Sequence, residues 1–313
     1  MISSQPRKPL LANTGLQYDG QSQAIMTRPN DLPSIGNPPL TSGMLSMNAL
    51  RQKWLQTELM SLNSQLLKTK KTQGTLAVHQ SRVSARKIRV LLHAWRSECH
   101  PVKYAELRFE LRDLSRALQP GREADVRRQR MATILRHAPA ALLQESRLQL
   151  AKLDQQRSLI RHQLRDTLHS PRWKRSLVLI AESINSPELF AIPHATENWK
   201  SEFLEFNKQL GKLLKECARK KFATHDLHDL RIKMKGIRYH GDALIDMQGL
   251  EPASELKRLH RLQSLLGDIH DNQQLMEWCR QQDINHTLRN FVLLTLKKTS
   301  NELVDHFNLI RSQ

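Results

Sequence analysis

Apolar residues in this chain recur at spacings of three and four over long stretches, and strict alternation is nearly absent. Asn48 to Lys71, Thr75 to Glu98 and Ala140 to Leu168 are clear examples. They are rich in Leu, Gln, Arg, Lys, Glu and Ala, residues that lose little rotamer freedom in a helix. Breaks fall at Gly74, Pro101, Pro120-Gly121, Pro139, Pro171, Pro187, Pro193, Gly249 and Pro252. Proline suits a first helical turn and glycine the position just past a last one, so these breaks read as helix ends. The pattern predicts an all-α bundle protein of about ten to twelve helices with short links. Residues 1–43 follow neither period and hold six of the 13 prolines and four of the 11 glycines. Such a segment cannot bury enough apolar surface to offset its ordering entropy, so a disordered tail is expected ahead of a helical domain at 44–313.

Self-similarity is the most informative feature of the helical part. Val78-His79-Gln80-Ser81-Arg82-Val83-Ser84-Ala85-Arg86-Lys87-Ile88-Arg89 recurs 149 residues on as Leu227-His228-Asp229-Leu230-Arg231-Ile232-Lys233-Met234-Lys235-Gly236-Ile237-Arg238. Further on, Gly121-Arg122-Glu123-Ala124-Asp125 parallels Gly267-Asp268-Ile269-His270-Asp271 at an offset of 146. Two related halves are expected, at about 44–195 and 196–313, placing equivalent faces together in a pseudo-twofold arrangement.

Helical geometry shows what the repeat carries. At about 100° per residue, His79, Arg82, Arg86, Arg89 and His93 share an arc of about 80°. His228, Arg231, Lys235 and Arg238 fall on the same arc of the second copy, while Leu230, Met234, Ile237 and Leu244 lie on the opposite side. Each copy therefore aims a row of cations one way and packs another way. Like charges three and four apart disfavour an isolated helix by a few tenths of a kcal/mol per pair. A face that is merely solvated ordinarily interleaves acids, and these arcs hold none before Asp242. Arg108, Arg112 and Arg116 make a second ridge at spacing four, followed by Arg122, Arg127, Arg128 and Arg130; Lys257, Arg258 and Arg261 add to the second half.

The whole-chain balance agrees. Lys and Arg number 49 against 30 Asp and Glu, a formal charge of +19. Residues 51–200 alone carry 28 basic and 13 acidic side chains. Such a surplus repels itself unless an anion sits nearby, so nucleic acid, anionic lipid or polyphosphate is the expected kind of partner. No stretch approaches the apolar length of a membrane helix, so insertion into a membrane is not expected. Three widely spaced cysteines (Cys99, Cys217, Cys279) and the absence of an apolar leader in MISSQPRKPLLANTG point to a reducing, cytoplasmic setting. Arginine suits phosphate because its planar fork donates parallel hydrogen bonds and stays charged at cellular pH.

The doubled H-x-x-R-(V/I)-x-x-(R/K)-x-x-R pattern, the run Arg231 to Tyr239 and the stretch Leu-Gln-x-Leu-Leu-Gly-Asp-x-His-Asp ending at Asp271 resemble the CHAD family, the conserved histidine α-helical domains. The resemblance spans most of residues 50–313. It implies two four-helix-bundle halves around a basic groove that binds inorganic polyphosphate without catalysis and without cofactor or metal. It also implies polyphosphate-containing granules as a partner. The implied ligands are His79, Arg82, Arg86, Arg89, His228, Arg231, Lys235 and Arg238. The flanking Arg112, Arg116, Arg122 and Arg258 are the further candidates from the residue pattern. Departures occur where Arg122-Glu123 replaces the usual Arg-Asp and where Gly236 answers Lys87.

Two other readings compete. Sequence-nonspecific binding to nucleic-acid backbone would draw on the same cations. Single-strand binders interleave aromatics for stacking, however, and here aromatics are 5% of the chain, with Trp54, Trp278 and Phe291 in core-like contexts. The pairs His225-Asp226, His228-Asp229 and His270-Asp271 suggest a metal-dependent HD-type phosphohydrolase. The cationic surroundings disfavour a dication there, and Asp229 and Asp271 are expected to orient arginines or cap helices.

Overall fold

The computed structural model describes residues 46–71, 75–190, 199–219, 222 and 226–312. The tail expected at 1–43 lies outside these residues, as does His225. Ten α-helices are found among the described residues, with no strand. In chain order they are α1 (Met47–Lys71), α2 (Thr75–Ala94), α3 (Pro101–Ala117), α4 (Gln119–Leu135), α5 (Leu143–His169), α6 (Pro171–Asn185), α7 (Trp199–Arg219), α8 (Asp226–Gln248), α9 (Ser254–Gln281) and α10 (His286–Ser312). Single 3-10 turns occupy Ala140–Leu142 and Pro187–Phe190.

The boundaries have local causes. Pro101 and Pro171 sit in the first turns of α3 and α6, and the Ser170 hydroxyl accepts from the Trp173 amide ahead of α6. Gly249 ends α8 with a φ of 62°, and the Leu250 amide donates back to the Ile245 carbonyl. At the start of α10 the Asn285 side chain accepts from the Leu288 amide. Only Leu118 separates α3 from α4, just ahead of Pro120, which lacks an amide proton.

The offset of 149 pairs α2 with α8. The offset of 146 pairs α4 with the second part of α9, so the uninterrupted α9 answers the broken α3–α4 rod. Chain order then pairs α1 with α7 and the equally long α5 with α10. The first half carries one extra helix, α6, which packs on α1, α3 and α5.

Three apolar cores hold these elements. One joins α1, α2, α3 and α6 with the end of α5, through Leu55, Ile88, Leu111, Leu168 and Ile180. A second joins α7, α8, the first part of α9 and the end of α10, through Phe206, Met234, Leu259 and Phe307. The third unites both halves: Met131 and Leu135 of α4 and Leu153 of α5 meet Leu275 of α9 and Leu288, Val292 and Leu296 of α10. Each such buried Leu contributes about 1.5–3 kcal/mol relative to exposure. Trp54 belongs to the first core, and Trp278 and Phe291 pack against the third.

A buried polar network adds a further link between halves. Glu202 of α7 accepts from Arg51 of α1 at 2.7 Å, from the Trp95 indole at 2.7 Å, and contacts His240 of α8 at 3.0 Å. Arg51 also pairs with Glu98. Burial opposes the charge on Glu202, yet hydrogen bonds from His240, Arg51 and Trp95 prevail and hold its carboxyl at about 2.

Gly241 marks a close helix approach, because a Cβ there would collide with the buried Phe206 ring across the α7–α8 contact. At Gly211 a Cβ would meet nothing within 4 Å. Opposite outcomes follow for two identical substitutions. Gly241→Ala should destabilise by about 1–3 kcal/mol through overpacking, whereas Gly211→Ala should stabilise by about 0.5–1 kcal/mol through backbone entropy. Urea unfolding of both variants checks the signs.

Candidate anion-binding site

The cations of α2 and α8 stand on faces turned away from the helices' own apolar stripes. In α8, Leu230, Met234 and Leu244 are buried, while Arg231, Lys235 and Arg238 are half-buried. In α2, Val78, Ala85 and Ile88 are buried and His79, Arg82, Arg86 and Arg89 are half-buried. Packing of α2 on α8, with α4 and α9 alongside, brings the two rows together.

Electrostatic coupling identifies the centre. The charge of Arg86 acts on His79, Arg82, Arg89 and Arg122 from the first half and on Arg231 and Lys235 from the second. Burial, then Arg122, Arg86 and Arg82, push His79 down to about 4. His270 is likewise lowered to about 4, by burial and then Arg231. Lys235 falls from 10.5 to about 7, by burial, Arg86 and Arg231. Burial followed by Arg86 takes Arg82 to about 10, so it keeps its charge at neutral pH. Burial disfavours any charge here, and beyond it the neighbouring arginines disfavour a further positive one. Asp271 of α9 is the carboxylate that opposes the trend at His79, Arg122, Arg231, Lys235 and His270.

The other sequence candidates take distinct places. Arg82 donates to the Ser115 carbonyl at 2.8 Å, which ties α2 to α3. Arg112 and Arg116 of α3 are exposed and, with Arg108, act on the half-buried Arg89; Arg112 also stacks on Phe109 at 5.8 Å. His228 is exposed and lies against the His270 ring, centroids 5.4 Å apart. Arg238 stacks on Tyr239 at 4.3 Å and faces Asp242 at 3.6 Å. The Nε atoms of Arg89, Arg231 and Arg238 are buried with no hydrogen-bond partner among the described residues.

Arg258 stands apart from the cluster. Its Nε and Nη2 donate to the Ile310 and Arg311 carbonyls at 3.2 and 2.7 Å, capping the end of α10. Spacing alone could not reveal this, because an arginine that caps a distant helix looks like any other in sequence. Residues outside the candidate set also belong to the cluster. His270 and Asp271 are brought in by α9, and the parallel with Gly121–Asp125 was the signal that could have placed them. Arg130 of α4 donates to Asp268 at 2.6 Å and Asn272 at 2.7 Å and lies 3.5 Å from Asp271. A cavity of about 480 Å³ between α4, α9 and α10 opens beside these residues, lined by Arg122, Arg130 and Asp271 among others.

Among the described residues no group of three or more His, Cys, Asp or Glu side chains is arranged to hold a metal ion. No helix among them is long and apolar enough to cross a membrane. All three cysteines are buried and unpaired, with burial raising their thiols to about 12 for Cys99 and about 11 for Cys217 and Cys279.

The CHAD domain family model matches residues 55–280. The chain belongs to the CHAD family. The crystal structure of the CHAD domain from the plant Ricinus communis is similar to this CHAD protein with a TM-score of 0.67 and 21% identity, over 88% of this chain and 96% of that one. PptA from Streptomyces chartreusis is similar with a TM-score of 0.64 and 14% identity, over 86% and 99%. Among curated proteins none matches the chain.

The cluster also sets a pH dependence of stability. The value of Lys235 in the fold, about 7, lies below its ordinary 10.5, so the unfolded chain holds more protons between the two. The resulting destabilisation is complete below about 7 and fades as pH rises towards 10.5. His79 and His270, ordinarily 6.5 and lowered to about 4, add destabilisation as pH falls through that interval. Lys235→Met should therefore raise the Tm of the ligand-free protein by about 2–4 °C near neutral pH. The gain should shrink at pH 9–10, as thermal unfolding across that range will show.

Proposed function

We propose that this CHAD protein is a non-enzymatic binding module for inorganic polyphosphate. The observation that carries the reading is the convergence of two repeat-related cation rows on Arg86, with half-buried side chains from α2, α4, α8 and α9. The family's association with polyphosphate supports it. Side chains three and four apart on a helix sit about 5–6 Å from each other, a spacing suited to successive phosphates of a linear chain. In this reading Arg82, Arg86, Arg231, Lys235 and Arg238 contact phosphate oxygens. Arg89, with Arg108, Arg112 and Arg116, extends the track towards α3, and Arg122 extends it towards α4.

A narrow, base-free polyanion suits cations recessed between helices. A nucleic acid would have to bring its bases along, and Trp54, Trp95 and Trp173 are buried in the core rather than offered for stacking. A hydrolytic reading would need a metal or a nucleophile beside the phosphates. At this place Asp271 instead offsets the charge of guanidinium groups, those of Arg122 and Arg231 among them.

The double variant Arg86→Glu, Arg238→Glu should lose polyphosphate affinity by about a hundredfold or more, with helical circular dichroism unchanged. The check is a binding assay with labelled long-chain polyphosphate at about 0.15 M salt, challenged with duplex DNA and single-stranded RNA at matched charge. Retained polyphosphate in the wild-type assay supports the reading. Equal competition by nucleic acid, or unchanged affinity in the double variant, overturns it.

A further inference from the structure

A glycine that nothing else in the chain requires stands at position 236, in the middle of α8. Glycine disfavours a helix interior, because it has the most backbone freedom to lose. Its φ is not positive, and a Cβ there would meet no atom within 4 Å. The repeat supplies the comparison. At the matching place in α2, Lys87 donates to Glu58 of α1 at 2.6 Å and lies over the Trp54 ring, 5.7 Å from its centroid. That side chain seals α2 against α1. Gly236 seals nothing, and α7 packs less closely on α8 than α1 does on α2.

A cavity of about 490 Å³ opens over Gly236, between α7, α8 and the end of α2. That is the size of a small-molecule site. Val90 of α2, Leu213 of α7 and Ile237 of α8 give it apolar walls beside the bare backbone of Gly236. Leu213 and Ile237 belong to the second core, so these walls are held from behind. Arg96, Lys212 and Lys233 also line the cavity and are exposed. The one carboxylate among the lining residues, Glu216, faces Lys233 at 3.9 Å. Arg96 and Lys212 make no ion pair among the described residues. His240 lines the cavity too, but its Nε2 is engaged by Glu202 at 3.0 Å.

We infer that this cavity binds a single-headed amphipathic anion, a medium-chain fatty acid, with its carboxylate at the exposed cations and its alkyl chain over Gly236. Three observations fix that class. The apolar walls and bare backbone offer nothing to a polar ligand, and they suit a chain that needs close approach. The surplus of cations over Glu216 suits one carboxylate, while Glu216 itself opposes a longer polyanion. Lysine stems lie along apolar surface with their charged heads in water, so chain and head can be met by the same residues. From Gln209 to Glu216 the lining runs about 10 Å along α7, which matches an alkyl chain of middle length. None of the eight repeat cations is among the lining residues, so the inference does not depend on the polyphosphate reading.

The test is equilibrium dialysis of labelled decanoate against the intact full-length chain at about 0.15 M salt. Butyrate, with the same head, should bind at least about a hundredfold more weakly, since each buried methylene contributes about fourfold. Decanol, with the same chain and no charge, should bind about fivefold more weakly. Binding of either as tight as that of decanoate overturns the proposal. Gly236→Leu fills the space over α8 and should lower decanoate affinity at least about tenfold, with helical circular dichroism unchanged. Gly236→Ala guards against a variant that merely fails to fold. Like Gly211→Ala it should raise the urea midpoint of the ligand-free protein, while lowering decanoate affinity about threefold. Unchanged decanoate affinity in both variants overturns the assignment. Saturating long-chain polyphosphate should leave decanoate bound. If it displaces decanoate, the cavity belongs to the polyanion site and this inference falls. If decanoate binds as described and polyphosphate does not bind at all, the polyphosphate reading alone falls.

Discussion

Repulsion among like charges is the constraint around which this molecule is arranged. Packing α2 against α8 presses half-buried arginines from both copies of a repeat onto the neighbourhood of Arg86, and α4 and α9 add Arg122 and His270. No fold gains by that in isolation: burial first, and then each neighbouring charge, lowers the hold of the next group on its proton, as Lys235, His79 and His270 register. Asp271 offsets part of the charge for five of these groups, and its interaction with Arg130 limits how much it can give. The remaining imbalance is what a polyanion would neutralise.

Apart from Asp271, what opposes this repulsion lies away from the seam. The first and second cores gather around α2 and α8 from their apolar sides, so the cations are forced towards one another by the burial of Ile88 and Met234 behind them. The third core clamps the far ends of both halves through α4, α5, α9 and α10. The network around Glu202 joins α1, α7 and α8 at the opposite end of α2, where Trp95 follows its last turn. Breaking such a buried charge network by removing one partner typically costs about 3–5 kcal/mol. Apolar burial and a buried ion network therefore frame a cluster in which cations outnumber acids.

Much of this was legible in the sequence because period and repeat are local properties. The three-to-four spacing gave the helices, and prolines and glycines gave their ends, including the Pro120 break and the Gly249 cap. The 149-residue offset placed eight of the clustered cations and the faces on which they stand. What the pattern could not supply was non-local partnership. Arg258 reads as a further phosphate ligand until its guanidinium is found on the end of α10, some fifty residues away in sequence. Asp271 is one acid among many until α9 brings it to the arginines. The extra α6 and the third core were hidden for the same reason: the repeat signal is strong in α2 and α8, whose cation rows repeat, and weak in the helices around them.

The asymmetry of the repeat then acquires physical content. If both copies served only to hold phosphate, arginine would serve at each position, since it forks, stays charged and is more weakly hydrated. The first copy does place arginine at position 86. The second keeps a lysine at 235, where burial and then the charges of Arg86, Arg231 and Arg238 loosen its hold on the proton. A site built wholly from arginine has one charge state across the cellular range. A site with one lysine on the verge of neutrality has two, and an anion selects between them because it binds the protonated form better. By reciprocity, whatever fixes Lys235 in the neutral form weakens the anion by the same factor. The charge that makes the cluster costly to fold is thus also the one through which its occupancy can be tuned.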